Sequence, residues 1–197
     1  MLKVFVALVF FLVSACYVQA QDSPWLLRAR LVKPELTYVP NPGGFSVEQQ
    51  GMPEMDVSYF FSRNWAAEFS FTALKTQTVF SSGMSIGTFE NLPPTLSLQY
   101  HLDRWSTFKP YVGAGITYTK HSTLTFTNPN IPSILMNNHT WGPALQLGVD
   151  VPLDERFSLN LDLKRSNFRS DISSLAFGAV DTKINLRIVS VGVGYRF

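Results

Sequence analysis

The chain has 197 residues, of which 46% are hydrophobic, 14% aromatic and only 15% charged, with a formal charge of +2. That composition suits one ordered domain and excludes a disordered tail or a coiled coil, and sixteen Lys and Arg against fourteen Asp and Glu are too sparse and balanced for a nucleic-acid partner. One Cys and three scattered His leave no internal disulfide and no metal cage, so neither a metal nor another cofactor is expected.

Residues 1–20 open with Lys3, continue through the apolar run 4–13 and end on Val18-Gln19-Ala20. A charged start, a short apolar stretch and a small-residue site are the three regions of a secretory signal peptide, with cleavage expected after Ala20. Val13-Ser14-Ala15-Cys16 also resembles a lipobox, which would make Cys16 a lipidated first residue. Cleavage at Ala20 is preferred, because Gln21-Asp22-Ser23-Pro24 leads directly into an apolar strand and leaves no tether. Residues 21–197 are then expected to form a single domain.

That remainder contains no run of 18 apolar residues, so a helical membrane span is excluded. Period two replaces it. Between Trp141 and Leu153 the odd positions are Trp, Pro, Leu, Leu, Val, Val and Leu, while the even ones are Gly, Ala, Gln, Gly, Asp and Pro. The segments 92–102 and 157–164 alternate in the same way, as two-faced strands do. Eight strands are expected, at 25–39, 52–61, 64–74, 92–102, 108–120, 141–152, 156–167 and 185–197. The connections 40–51, 75–91, 121–140 and 168–184 are long, whereas 62–63, 103–107 and 153–155 are short and charged. Strands of about ten residues, joined alternately by long loops and tight turns, describe an all-β, eight-stranded antiparallel transmembrane barrel of the outer-membrane type with periplasmic termini. An even strand number lets the first and last strands pair.

Alternation alone is also compatible with a secreted barrel that holds a ligand against an inward apolar face. Three features favour the membrane. Trp25, Trp65, Trp105, Phe108, Trp141, Phe157, Tyr195 and Phe197 fall near strand ends, where interfacial aromatic girdles belong. The minority face carries charge on nearly every strand. The chain closes on Val189, Val191, Val193, Tyr195 and Phe197, and this aromatic ending is similar to an outer-membrane assembly signal carried by Tyr195 and Phe197.

With the oily face outward, Arg28, Arg30, Lys109, Lys164 and Arg196 face Glu54, Asp56, Glu68, Asp150 and Asp162 inside. Equal numbers suggest pairing, since lone charges in a narrow interior are costly. Strand direction places Arg28, Glu68, His101, Lys109, Asp150 and Arg196 toward the periplasmic end, as a charged plug. The opposite half is expected to be lined by apolar Val32, Leu36, Leu74, Leu186 and Ile188, below a long loop carrying Ile131, Ile134, Leu135 and Met136. Such a lining makes a small hydrophobic pocket rather than a water pore. Pro34, Pro93, Pro94 and Pro143, together with Pro53, each lack the N–H that a ladder needs, so a lateral gap in the wall is expected.

These residues carry a resemblance. Leu92-Pro93-Pro94-Thr95-Leu96 with Gln99-Tyr100-His101, then Pro110-Tyr111-Val112-Gly113-Ala114-Gly115-Ile116-Thr117-Tyr118-Thr119, and the terminal Gly192-Val193-Gly194-Tyr195-Arg196-Phe197, resemble the OmpW family of small outer-membrane proteins, AlkL-like alkane-uptake proteins included. Trp141-Gly142, Gln146, Gly148, Asp150, Asn160 and Asp162 add to it, while Ala29-Arg30 and Asn185-Leu186 depart from the family's usual Gly and Asn-Pro. The resemblance implies a hydrophobic channel that admits small apolar molecules and releases them sideways into the membrane. The expected partners are outer-membrane lipid and lipopolysaccharide, small hydrophobic molecules and the outer-membrane assembly machinery. An enzyme is not expected: His121-Ser122 and His139-Thr140 are adjacent pairs, and neighbours on a strand point to opposite faces. The alternative function is a structural or receptor barrel acting through its long extracellular loops.

Overall fold

The computed structural model describes residues 23–39, 45–47, 51–72, 76–81, 84–90, 94–102, 107–120, 125–126, 139–174 and 178–197. In chain order the strands are β1 (Trp25–Val39), β2 (Phe45–Val47), β3 (Met52–Phe60), β4 (Trp65–Thr72), β5 (Thr76–Ser81), β6 (Met84–Glu90), β7 (Thr95–His101), β8 (Lys109–Lys120), β9 (Thr125–Phe126), β10 (His139–Pro152), β11 (Phe157–Ser174) and β12 (Gly178–Arg196). Eight of them close a barrel in the order β1-β12-β11-β10-β8-β7-β4-β3, and β2-β5-β6-β9 form a separate four-stranded sheet. Every barrel pairing is antiparallel.

Closure follows from the first and last strands, which pair from Leu26↔Arg196 to Val39↔Lys183. The backbone N–H of Phe197 donates to the carbonyl of Trp25 at 3.2 Å and extends that seam by one bond. Closure lets each strand pair its backbone N–H and C=O groups with neighbours on both sides, which is what a strand needs to cross a bilayer.

The alternation resolves into an inside and an outside. Leu31 and Leu145 are each 64% exposed on the outer wall, whereas Arg28 is 0% and Glu68 1% exposed within. The outer wall is therefore the apolar face, and the ionised side chains are enclosed. Aromatic pairs mark the turn-bearing end: Trp25 lies 4.8 Å from Tyr59, Trp65 5.0 Å from Tyr100 and Phe157 5.0 Å from Tyr195. At the other end Tyr118 lies 4.7 Å from Trp141.

Two tight turns are held by side chains that the backbone recruits. The hydroxyl of Ser62 accepts from the N–H of Trp65 at 3.1 Å, and the Asn64 amide donates to the His101 carbonyl at 2.7 Å. In the 153–156 turn the Asp154 carboxylate accepts from the N–H groups of Arg156 and Phe157 at 2.8 and 2.7 Å.

The long connections differ from expectation. Residues 168–184, read as a loop, instead continue β11 and β12 as one hairpin paired to Ser174↔Gly178. Residues 75–91 contain the β5–β6 hairpin, and the small sheet at this end was not anticipated. The reason is physical: beyond the lipid, neither face of a strand has to be oily, so the apolar period that reveals a membrane strand disappears. The expected signal peptide with Cys16, and Leu74, Pro93, His121, Ser122, Ile131, Ile134, Leu135 and Met136, lie outside the described residues.

Candidate functional site

The lumen is built from the inward positions, most of them polar, with one apolar cluster among them. In the turn-proximal half seven of the eight barrel strands contribute polar side chains to one hydrogen-bonded layer. Arg28 on β1 grips Asp150 on β10 through two contacts, Nε to Oδ1 at 3.1 Å and Nη2 to Oδ2 at 2.6 Å. Its remaining nitrogen donates to Glu68 Oε2 at 2.8 Å and to Ser58 Oγ at 3.0 Å. Arg30, two residues farther along β1, meets Asp56 at 3.0 Å and Glu68 at 3.3 Å, and its Nε donates to the Asn160 side-chain oxygen Oδ1 at 2.7 Å. The paired fork of a guanidinium suits it to bridging carboxylates from different strands.

Neutral donors complete the layer. Tyr111, fully buried on β8, donates its hydroxyl to Asp162 at 2.7 Å, and the Gln146 amide donates to Glu68 and Asp162 at 2.8 Å each. Lys164 donates to Ser70 at 2.7 Å and lies 3.7 Å from Glu54. Gly148 makes room for Tyr111, because a Cβ at that position would overlap the Tyr111 ring carbon Cζ and its hydroxyl.

The ten interior charges occupy two places. Three cations, Arg28, Arg30 and Lys164, share the layer with Glu54, Asp56, Glu68, Asp150 and Asp162, and hydroxyls and amides supply the balance of the donors. Lys109 and Arg196 instead line a cavity of about 650 Å³ at the periplasmic end, whose inner limit includes Asp150 and His101. The Arg196 guanidinium sits 4.3 Å above the Phe60 ring. His101 stacks on Tyr111 at 4.8 Å and joins the layer through Gln99 at 3.1 Å. Of the six residues expected to form the plug, Arg28, Glu68 and Asp150 are in direct contact, His101 is linked to them through Tyr111 and Gln99, and two face the vestibule.

Toward the extracellular end the lumen has two faces: Thr95, Thr117 and Ser166 form a buried hydroxyl chain at 2.9 and 2.8 Å, and the β1–β3–β11–β12 side is apolar. Val32, Met52, Phe168, Ile184, Leu186 and Ile188 form one buried cluster against which Leu36 packs. Sequence reasoning assembled Val32, Leu36, Leu186 and Ile188 but missed three members. Met52 stands directly opposite Val32 at the start of β3, and extending the even-numbered inward set of that strand back by one step finds it. Phe168 and Ile184 face one another across the hairpin that was read as a loop.

Among the described residues, three seams around this half end at or near prolines. Pairing of β4 with β7 stops at Ser70↔Thr95, with Pro94 next in the chain; the carbonyl of Pro94 still accepts from Tyr118 N–H on the other side at 3.0 Å. Pairing of β10 with β11 stops at Ala144↔Ser166, with Pro143 next, while β10 continues on β8 as far as His139↔Lys120. Pairing of β1 with β3 stops at Val32↔Met52, two residues before Pro34. Past the β10–β11 ladder end the strands remain in touch, since a Cβ on Gly142 would overlap the Asn167 carbonyl oxygen and crowd Phe168.

Comparison with known proteins places this architecture. The model of the OmpW family matches residues 30–197. The chain is 35% identical over 191 residues to the "uncharacterized outer-membrane protein y4mB" of Sinorhizobium fredii, spanning 91% of this chain and 82% of that one. It is 32% identical over 153 residues to outer membrane protein AlkL of Ectopseudomonas oleovorans, spanning 72% of this chain and 64% of that one. The crystal structure of OprG from Pseudomonas aeruginosa has the same fold, with a TM-score of 0.69 at 22% identity over 91% of this chain and 99% of that one. With its lipid-facing wall, its closed eight-stranded ladder and this match along most of its length, the chain belongs to the OmpW family and is an integral protein of the outer membrane.

Proposed function

We propose that the barrel admits small hydrophobic molecules from outside, holds them against the apolar cluster and releases them sideways into the membrane above a closed polar layer. The observation that carries this reading is the apolar cluster next to the polar layer. Val32, Leu186 and Ile188 form an oily cluster on the extracellular side of the layer, and the layer itself, with Arg28, Glu68 and Asp150, is cross-linked from strand to strand. An apolar solute meets a favourable surface first and a costly one next, because entering the polar layer would separate buried charges from their partners. Straight passage is opposed, and the weakest wall lies at the seams where Pro94, Pro143 and Pro34 stand at or near the ladder ends. Partition out of water supplies the driving force, about 0.8 kcal/mol for each CH₂ buried. No covalent step is required.

The experiment compares uptake of a small alkane into liposomes bearing the refolded protein with uptake into protein-free liposomes. The protein should accelerate it, and Ile188→Asn, which sets a polar side chain into the cluster, should lower the protein-dependent rate several-fold while the barrel stays folded. Equal rates with and without protein would refute the channel. The receptor reading draws on the four-stranded sheet β2-β5-β6-β9 beyond the barrel; in that case deleting residues 76–90 would abolish a binding activity and leave uptake unaltered.

A further inference from the structure

Outward-facing positions on β1, β12 and β11 change character abruptly along the barrel. From the turn-bearing end the outer wall runs Trp25, Leu31 on β1, Tyr195, Val193, Val191, Val189 on β12, and Phe157, Leu159, Leu161, Leu163 on β11. The next exposed positions are Lys33, Arg187 and Arg165. Each cation stands eight residues from the interfacial aromatic of its own strand: Lys33 from Trp25, Arg187 from Tyr195 and Arg165 from Phe157. Eight residues of strand, tilted as in transmembrane barrels, rise about 20 Å, close to the height of the apolar band, so the three cations emerge together at the outer headgroup level.

Register makes them a cluster. Arg187 lies directly opposite Arg165, with Glu35 opposite Arg187 on its other side, and Lys33 is opposite Val189 in the adjoining row. Directly opposite side chains have Cβ atoms about 5 Å apart, and like charges so placed repel. The exposed Glu35 carboxylate offsets one of these charges; the positive excess left by Lys33, Arg165 and Arg187 favours a further anion among them, and guanidinium forks match phosphate oxygens. Lys183, exposed four residues beyond Arg187, extends the positive strip outward. At the outer edge of β8 and β10 the described residues include an aromatic pair, Tyr118 and Trp141.

We infer that Lys33, Arg165 and Arg187 form a binding site for the phosphate groups of a phosphorylated glycolipid of the outer leaflet, whose acyl chains lie along Leu31, Val189 and Leu163. The oily rows immediately beneath the cations favour a lipid headgroup over a free phosphate, because the site continues into a surface that only an acylated ligand would cover.

The test uses the full chain refolded in detergent, with retention of bisphosphorylated lipid A counted by native mass spectrometry. The wild type should hold lipid A and not its dephosphorylated counterpart. The combined variant Lys33→Gln, Arg165→Gln, Arg187→Gln should retain at least about tenfold less, the loss of one charge-assisted contact or more. Arg187→Lys should keep most of the retention, and Arg156→Gln in a periplasmic turn should keep all of it. Folding is followed by the heat-dependent gel mobility of the barrel, and if the triple variant fails to fold, each single Gln variant should still lower retention several-fold. Undiminished retention in the Gln variants, or equal retention of the dephosphorylated lipid, would overturn the site. Displacement of lipid A by an equal concentration of inorganic phosphate would overturn its assignment to a lipid.

Discussion

Glu68 is the residue on which the polar layer converges. One of its oxygens accepts from both Arg28 and Arg30, at 2.8 and 3.3 Å, and the other accepts from Gln146 at 2.8 Å. Glu68→Gln leaves two enclosed guanidiniums short of a counter-charge, and breaking a buried pair in this way costs about 3–5 kcal/mol. The denaturant midpoint of the refolded barrel should fall accordingly, and an unchanged midpoint would show that Asp150 and Asp56 suffice. Gly148 is the complementary case. Its importance lies in absent atoms, since Tyr111 occupies the space a methyl group would need. Gly148→Ala should displace Tyr111 from Asp162 and destabilise the barrel by about 1–3 kcal/mol, the usual cost of overpacking. The identity of these charged residues was readable from period two, but Tyr111 was legible only as one member of a family-like strand. Nothing in a linear pattern reveals that a phenol on β8 reaches a carboxylate on β11.

Elements show how turns and seams divide the labour. The 153–156 turn is closed by Asp154, whose carboxyl is held below its ordinary range by the backbone N–H of Phe157 first and of Arg156 second. A carboxyl depressed in the folded state adds stability above its unfolded value, near 3.9, and that contribution is lost as pH falls through the lower folded value. Unfolding of wild type and Asp154→Ala should therefore differ at neutral pH and converge once the pH has fallen below the ordinary carboxylate range far enough to protonate the depressed Asp154 carboxyl. A gap that persists in acid would mean the turn is held by something other than this carboxylate. At the opposite end the β11–β12 hairpin outlasts its expected length because two paired strands continue to satisfy each other's backbone after lipid no longer demands it. Proline positions were legible as ladder breakers, yet which seam each one ends depended on register: Pro94 and Pro143 each follow the last pair of a seam, whereas Pro34 lies within the β1–β12 ladder.

For the whole molecule, inside and outside are set by the bilayer. Val191 is 51% exposed on the lipid face and Ser190, its neighbour, is 3% exposed within. Val191→Arg should therefore cost about 2–4 kcal/mol if the site lies near the bilayer midplane, read as reduced stability in vesicles, while Ser190→Thr should be tolerated. Equal effects would contradict the orientation on which the account rests. What the sequence determined by itself was the class of object: period two with one oily face, aromatic strand ends and alternating connection lengths admit few solutions other than a closed antiparallel barrel in a membrane. These signals are local, each set by the backbone's repeat and the solvent on either side. Tertiary structure decided what they could not. It brought Met52, Phe168 and Ile184 to the apolar cluster, sent Lys109 and Arg196 to the vestibule and set Arg187 opposite Arg165, because contacts across a barrel depend on strand register, and register is a property of the closed ladder rather than of any one strand.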